Sequence, residues 1–391
     1  MRSLIKRDEK VAIVYHFFAH YRAPVFKELL KNEHLSFVFY GDIKDPGGKG
    51  VKPWNNLIGK SYFIQTPTKM LMGKLLFQKG LIQLALNKKI RQIIYLGNPY
   101  HILTWISVIL ARITGKQVFF WTHGWIRQDR GIKKLIRNTF FHLSPTMFLY
   151  GQRAKKIGVK NGFKPENLYV IYNSLNYKEH KKLRQNISFK KIESIRNNLF
   201  KTGHYPMVVC IGRLITARKL DLLFDASEYL GKAGHKINIL IIGDGPERKK
   251  LESRARSQKI SVNFYGACYN ENVLSKLIMA ANLVVMPGKI GLTAIHALSY
   301  GIPVISHNNP DQQMPEWEAI KPGFNGDVFE QDDFRSLAQV IKKWTRTEFV
   351  HESVNRKCFQ IVDQYYNPEY QVKIIEKALI EGRQTVFQNP K

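Results

Sequence analysis

Acidic side chains almost vanish from one long stretch of this sequence. Between residues 46 and 165 there are 21 Lys or Arg and a single acid, Asp129. That scarcity excludes a carboxylate-rich cation site there and leaves a surface suited to polyanions: lipid headgroups, nucleic acid or diphosphate-bearing molecules. Cysteine is also scarce. Cys210, Cys268 and Cys358 are scattered without metal-ligand spacing and are odd in number, so neither a zinc site nor a disulfide framework is expected. No apolar run is long enough to span a bilayer; the longest, residues 101–111, is bracketed by His101 and Arg112. The opening MRSLIKRDEK carries charges but no apolar signal core, and the expectation is a cytoplasmic protein. No Asp-x-Asp pair occurs anywhere, which removes one common carboxylate pair for a divalent metal ion. Repeats and low-complexity tracts are absent.

What is present is a long alternation of apolar runs and amphipathic segments. The chain has 391 residues and a formal charge of +31, with +22 of it in the first 165 residues. Residues 11–16 and 35–40 read as buried strands around a helix through 25–30. Lys69 to Asn87 reads as a helix, with Leu71, Leu75, Leu76, Ile82 and Leu86 on apolar stripes. Strands follow at 93–96, 118–121, 147–150 and 169–172, with a basic helix over Gly131–His142. Asn173 to Asn198 is polar, charged and mostly helical, with no strand signal, and the linker is placed there. The pattern then restarts with strands at 207–211, 237–242, 262–265, 281–286 and 302–306, and helices follow at 334–344, 349–366 and 369–381. The expected fold is α/β with two Rossmann-like, doubly wound domains facing across a cleft. Their expected bounds are 1–178 and 179–367, the closing helix at about 368–391 returning to the first.

Three loops of the second half fall at carboxyl ends of strands. They are Gly212-Arg213-Leu214 with Arg218-Lys219 just beyond, Gly243-Asp244-Gly245-Pro246, and Gly288 to Thr293. Glycine loops leading into helices offer backbone N–H groups and a helix dipole to phosphate oxygens, and fixed cations neutralise the charge that develops on a departing diphosphate. Taken singly, Arg213 or Lys219 is ordinarily a solvated surface cation, and His123 a strand-end histidine.

These segments resemble the donor-binding half of retaining glycosyltransferases of family 4, which have the GT-B fold. The likeness rests on VVCIGRLITARKLDLLF, ILIIGDGPERKKLE, VNFYGACYNENVLSKLIMAANLVVMP and GLTAIHALSYGIPVISH, in family order over 207–307, with GFNG at 323–326. In the first half it is thinner: HYRAPVFKEL, WTHG at 121–124 and YNS at 172–174. The resemblance implies a nucleotide-diphosphate sugar on the second domain and an acceptor on the first. Arg213 would meet the diphosphate, with Arg218 or Lys219 beside it, the sequence not choosing between them. Gly212, Gly243 and Gly245 would shape the donor loops, and Gly291, Leu292 and Thr293 would offer amides to the phosphates. His123 would face the transferred sugar. The family's two glutamates eight positions apart are here Gly288 and His296. His296 would make a hydrogen bond to the ribose in place of the second. Glu316 and Glu318 lie near the family's downstream Glu, and spacing to Gly323 favours Glu318.

Catalysis would then rest on protein cations, with no cofactor and no metal. The resemblance implies retention by same-face substitution, in which the phosphate takes the acceptor's proton. An inverting route would require a base such as His16, His20, Asp42 or Asp129. His20, Tyr21 and Arg22, after the first strand, are the candidate acceptor contacts. The basic helices mix cations with Leu, Ile and Phe, which suits shallow docking on an anionic membrane surface. Packing of those apolar stripes on the sheet is the simpler account of each helix alone. The combined expectation is a peripheral enzyme at the inner membrane face, extending a saccharide or lipid-linked saccharide in capsule, lipopolysaccharide or exopolysaccharide synthesis. Two competing readings are a sugar transferase acting on nucleic acid or protein, and a non-catalytic nucleotide- or nucleic-acid-binding module.

Overall fold

The computed structural model describes residues 10–48, 51–185, 189–346 and 351–388. Residues 349–350, which open a helix in the sequence reading, and 389–391, which close one, lie outside the described residues. The chain divides into two units, Met1–Leu175 with Asn367–Lys391, and Asn176–Tyr366.

The first unit holds strands β1 (Lys10–Phe17), β2 (Ser36–Asp42), β3 (Phe63–Gln65), β4 (Thr68–Leu71), β5 (Leu75–Gln78), β6 (Ile90–Leu96), β7 (Gln117–Thr122), β8 (Thr146–Leu149) and β9 (Leu168–Val170). Its helices are α1 (Ala23–Leu29), α2 (Leu81–Leu86), α3 (Ile102–Ile113), α4 (Gly131–His142) and α5 (Gln152–Lys160). Seven strands form a parallel sheet in the order β3-β2-β1-β6-β7-β8-β9, and β4 and β5 form a separate hairpin. These strands read as unbroken apolar runs because both faces are covered. Alternate residues of β1 part between two cores. Val11, Ile13 and Tyr15 join one, and Ala12 and Val14 join the other.

The second unit holds α6 (Tyr177–Arg184), α7 (Phe189–Leu199), β10 (Met207–Ile211), α8 (Leu220–Lys232), β11 (Asn238–Ile242), α9 (Arg248–Ser257) and β12 (Val262–Gly266). It continues with α10 (Glu271–Met279), β13 (Leu283–Met286), α11 (Leu292–Ser299), β14 (Val304–His307), β15 (Gly326–Phe329), α12 (Phe334–Trp344) and α13 (His351–Tyr365). Its six parallel strands run β12-β11-β10-β13-β14-β15. Strand order reverses between β1 and β6 in one sheet and between β10 and β13 in the other. At such a point the loops leaving the carboxyl ends of neighbouring strands turn to opposite faces, and a crevice opens.

The last helix, α14 (Pro368–Gln388), belongs to the first unit. Val372, Ile375, Ala378 and Leu379, at helical spacing, enter the core cluster of Val11, Ile13 and Tyr15. Gln92 Nε2 donates to the Leu379 carbonyl (2.8 Å), and the Tyr169 hydroxyl donates to Glu381 Oε2 (2.7 Å).

Two stretches differ from the sequence reading. Lys69–Asn87 is not one helix but the β4–β5 hairpin followed by the short α2. Left-handed backbone at Met72 (φ 49°) and Gly73 (φ 68°) makes the reversal, and Leu76 and Gln78 are buried at period two. The polar stretch 173–198 is helical, as read, in α6 and α7, but α6 is no free linker: it packs on α10 and α11 and buries His180. The basic α4 lies where expected, but its stripe faces outward. Ile132, Leu135 and Ile136 are 75%, 67% and 49% exposed, and only Phe140 and Phe141 are buried.

The packing of α14 sets an expectation. Leu379 is fully buried, so Leu379→Ala should destabilise the first unit by about 2–5 kcal/mol. Urea unfolding followed by tryptophan emission would show it as an earlier transition. A loss under about 1 kcal/mol would contradict a core role for this helix.

Candidate functional site

Three loops meet at the β10/β13 reversal of the second sheet. Gly212 follows β10, Gly243 follows β11 and Gly288 follows β13. They touch backbone to backbone. Leu214 N–H donates to the Asp244 carbonyl (2.9 Å), Glu247 N–H to that of Leu214 (3.2 Å) and Gly288 N–H to that of Arg218 (2.9 Å). A Cβ on Gly243 would lie 1.9 Å from the Gly212 oxygen, and one on Gly288 would lie 2.1 Å from that of Ala217. No side chain fits at either position.

Beyond Gly288 the chain enters α11 with Gly291 as its N-terminal cap and no capping side chain. Among the described residues the N–H groups of Gly291, Leu292 and Thr293 donate to no protein acceptor. Unmet donors at a helix start form an anion site. The loop is braced from behind. Gln313 Oε1 accepts from Ile290 N–H (2.8 Å), and Gln313 Nε2 donates to Ser306 Oγ (2.9 Å). The Thr293 hydroxyl lies 3.4 Å from the Ile211 carbonyl.

The cations separate by geometry. The Arg218 guanidinium lies over Gly212, where an added Cβ would meet it at 3.6 Å, and its Nη1 donates to the Lys289 carbonyl. Its Nε is buried without an acceptor among the described residues, and burial pulls its pKa below the usual arginine value. The neighbouring Lys219, at φ 50°, instead directs its ammonium to Asp332. Arg213 is exposed and makes no ion pair among the described residues. So Arg218 joins the Gly212 and Gly288 loops, while Lys219 is turned to a carboxylate. Glu316 differs from the spacing-based expectation: it is the carboxylate beside Gly291, 3.9 Å from where a Cβ would be, and is 2% exposed. Glu318 is half-buried in the same 3₁₀ turn, Pro315–Ala319.

His296 is committed within the fold. Its Nε2 lies 2.7 Å from Glu271 Oε1, which also accepts from the Tyr300 hydroxyl at 2.5 Å. His180 stacks on His296 with ring centroids 5.0 Å apart, its Nε2 being 3.6 Å from the same oxygen. Burial works to raise the Glu271 carboxyl but is outweighed by the hydrogen bond and charge of His296 and by Tyr300, leaving it at about 2. Burial, then His296, pushes His180 down to about 3. His180, Glu271 and His296 are also the group among the described residues able to hold a metal ion, their ligand atoms lying within 4.8 Å of one another. Neither Glu271 nor His180 was singled out in the sequence. Glu271 lies in the first turn of α10 behind the cap residue Asn270, and α6 falls in the stretch where the linker is placed.

In the first unit, residues from β1, β7 and β8 converge at the carboxyl edge of the sheet. His123 follows β7, and its ring lies 4.8 Å from that of Tyr150, which follows β8. Arg22 Nη1 donates to the hydroxyls of Tyr150 and of Tyr15 on β1, the latter at 3.3 Å. Tyr21 lies beside Arg22, while His20 Nδ1 is 3.1 Å from the Lys52 carbonyl. The residues considered as bases are otherwise engaged. Asp129 pairs with Arg137 (2.8 Å), and Asp42 accepts from the N–H of Ile43 and Thr68, both at 2.7 Å. His16 meets the ring of His101 edge-on at 5.4 Å.

Residues 191–357 match the protein family described as glycosyl transferases group 1. Over 197 residues the chain is 23% identical to a glycogen synthase of Thermosipho melanesiensis, covering 45% of this chain and 40% of that protein. Over 102 residues it is 29% identical to a GDP-mannose-dependent alpha-(1-6)-phosphatidylinositol dimannoside mannosyltransferase of Mycobacterium tuberculosis, covering 25% and 26% respectively. The chain thus spans less than half the length of these curated relatives. In structure it is similar to the Anabaena protein HepE, solved with UDP. The TM-score is 0.71 at 14% identity, over 95% of this chain and 100% of that one. The fold is α/β of the GT-B type, with two parallel sheets of seven and six strands.

The His180–Glu271 cluster makes stability pH-dependent. Both folded-state pKa values are depressed, so the stabilisation is present at neutral pH and lost towards acid. For His180 the window opens below about 6.5, where the unfolded chain takes up a proton, and runs to about 3. For Glu271 it runs from about 4.3 to about 2. Urea midpoints should therefore fall between pH 7 and 5, before Glu271 titrates. His180→Gln should reduce that slope, leaving the share of His101, which burial likewise pushes down to about 3; an unchanged slope would remove His180 as a cause.

Proposed function

We propose that this chain, whose second unit is a glycosyl transferases group 1 domain, transfers a sugar from a nucleotide-diphosphate sugar to a saccharide or lipid-linked saccharide. One observation carries the reading: open amides at Gly291, Leu292 and Thr293 lie on a loop joined directly to the one bearing Arg218. A diphosphate needs that pairing of N–H donors and fixed cations. Arg213, exposed on the same loop, supplies a second positive charge, and Lys219 a third once released from Asp332. Charge developing on the leaving diphosphate is met by groups already oriented, which stabilises the transition state more than the ground state. The reading routes no step through a metal. It favours retention, with the acceptor hydroxyl attacking beside the departing phosphate, which takes its proton. His123 is assigned to the transferred sugar. The first unit takes the acceptor through Tyr21 and Arg22, with His20 holding the loop to Lys52.

A second observation supports a membrane-borne acceptor. The outward stripe Ile132, Leu135 and Ile136 of α4 is interleaved with Lys133 and Lys134. On α3, Ile106, Ile109 and Ile113 are 47%, 45% and 75% exposed, and Met72 at the hairpin tip is 93% exposed. Trp105 of α3 packs on Phe140 of α4, so the two helices touch. Apolar side chains set among lysines suit an anionic bilayer surface. No helix of the described residues is long and apolar enough to cross a membrane. The assigned setting is the cytoplasmic face of a membrane, in cell-surface polysaccharide synthesis.

Two measurements test these assignments. Across a panel of nucleotide sugars, at least one should yield free nucleoside diphosphate in a chelator-insensitive reaction, and Arg213→Glu should lower kcat about 100-fold or more. No release from any donor would end the transferase reading. Separately, vesicles rich in phosphatidylglycerol should retain the protein at low salt and neutral phosphatidylcholine vesicles should not. Ile132→Ser with Leu135→Ser should weaken that retention; equal binding by the double variant would remove α4 from the surface.

A further inference from the structure

Arg22 is a half-buried cation without a carboxylate. Its guanidinium carbon lies 5.4, 5.9 and 5.3 Å from the ring centroids of Tyr15, Tyr21 and Tyr150. Two of those tyrosines are themselves buried, Tyr15 at 2% and Tyr150 at 1% exposure. Their hydroxyls lie 3.4 Å apart and both receive the same nitrogen of Arg22, Nη1. Among the described residues, Nε and Nη2 donate to nothing and no acid pairs with this side chain. A guanidinium drawn out of water is retained at a cost unless its charge and donors are met. Aromatic faces return part of that cost but accept no hydrogen bond in the plane of the fork.

The division of labour on the guanidinium is informative. Nη1, on the side of the side-chain stem, is spent on anchoring. Nε and Nη2 point their hydrogens from one common edge, and that edge matches two oxygens of a phosphate or carboxylate. The anchors are rigid, because the Tyr15 ring packs edge-on to Phe26 at 5.6 Å and to Trp121 at 5.8 Å. His123 packs at a tilt against Tyr150, one of the two anchors, with ring centroids 4.8 Å apart on the same sheet edge. No acid is among the groups acting on Arg22, which are Tyr150, Tyr15 and Tyr21.

We propose that the Nε–Nη2 edge of Arg22 binds an anionic group, a phosphate or a carboxylate, carried by the acceptor. The ligand's identity as acceptor rests on the function proposed above; the anion site itself rests on the first unit alone. The acceptor class is thereby narrowed to saccharides that are charged, through a phosphate linkage or a sugar acid.

The test observes Arg22 directly in the full chain. With [¹⁵N]arginine labelling, its Nε–H resonance is identified by its absence from Arg22→Lys. Titration with inorganic phosphate, and separately with glucuronate, at constant ionic strength should shift that resonance saturably, with Kd about 1–10 mM. Tyr150→Phe, which removes one anchor but keeps the ring, should weaken the affinity about 3–10-fold. A response to phosphate alone assigns a phosphate-bearing acceptor, and a response to glucuronate alone assigns a sugar acid. A resonance unmoved by both anions, or moving without saturation, overturns the proposal. This result is independent of the donor panel: a chain releasing no nucleoside diphosphate could still show the Arg22 shift, and a working transferase could fail to show it.

Discussion

Backbone pressed against backbone is the constraint on which the second unit's chemistry depends. Gly243 sits so close to the Gly212 carbonyl, and Gly288 to that of Ala217, that one methyl group at either would drive the loops apart. Because they touch, the residues after β10 and after β13 behave as one surface. Arg218 bridges them through the Lys289 carbonyl, and the start of α11 is held with its amides uncovered. A glycine loop alone is a weak signal. Two that exclude side chains from a shared contact define a rigid, positively polarised spot whose donors are oriented before any ligand arrives.

The same constraint explains what was legible in the sequence. Strands covered on both faces must be continuous apolar runs, so β1, β6, β7, β10, β11 and β13 stood out, and their alternation with helices pointed to two doubly wound sheets. Glycines at strand ends marked the loops because only glycine tolerates such approach. The hairpin after β3 was not legible. Leu71, Leu75 and Leu76 fit a helical stripe as well as two short strands, and the turn is made by Met72, a residue with no turn propensity, beside Gly73.

What the sequence could not show at the site has one cause: partners are brought together from distant segments. Glu271 lies 25 positions before His296, and no spacing rule joins them. Glu316 rather than Glu318 reaches Gly291 because the chain makes a 3₁₀ turn there, and a count along the sequence assumes no such turn. The choice between Arg218 and Lys219 was open for the same reason, since Asp332, which holds Lys219, comes from the far end of the unit. His296 illustrates the point most fully. It is coupled to a carboxylate on α10 and stacked on an imidazole from α6.

The placement of α14 reaches beyond equilibrium packing. The first sheet is covered on one face by side chains near residue 375, yet everything from Asn176 to Tyr366 intervenes. During synthesis on the ribosome the second unit therefore has all its strands and helices in hand while the earlier-made sheet still lacks a wall. The N-terminal half must wait with Val11, Ile13 and Tyr15 partly uncovered, reversing the usual order in which nascent domains finish. Premature termination between Tyr366 and about residue 380 would release a chain whose later-translated half is complete and whose earlier-translated half is sticky, the kind of product that chaperones and proteases intercept.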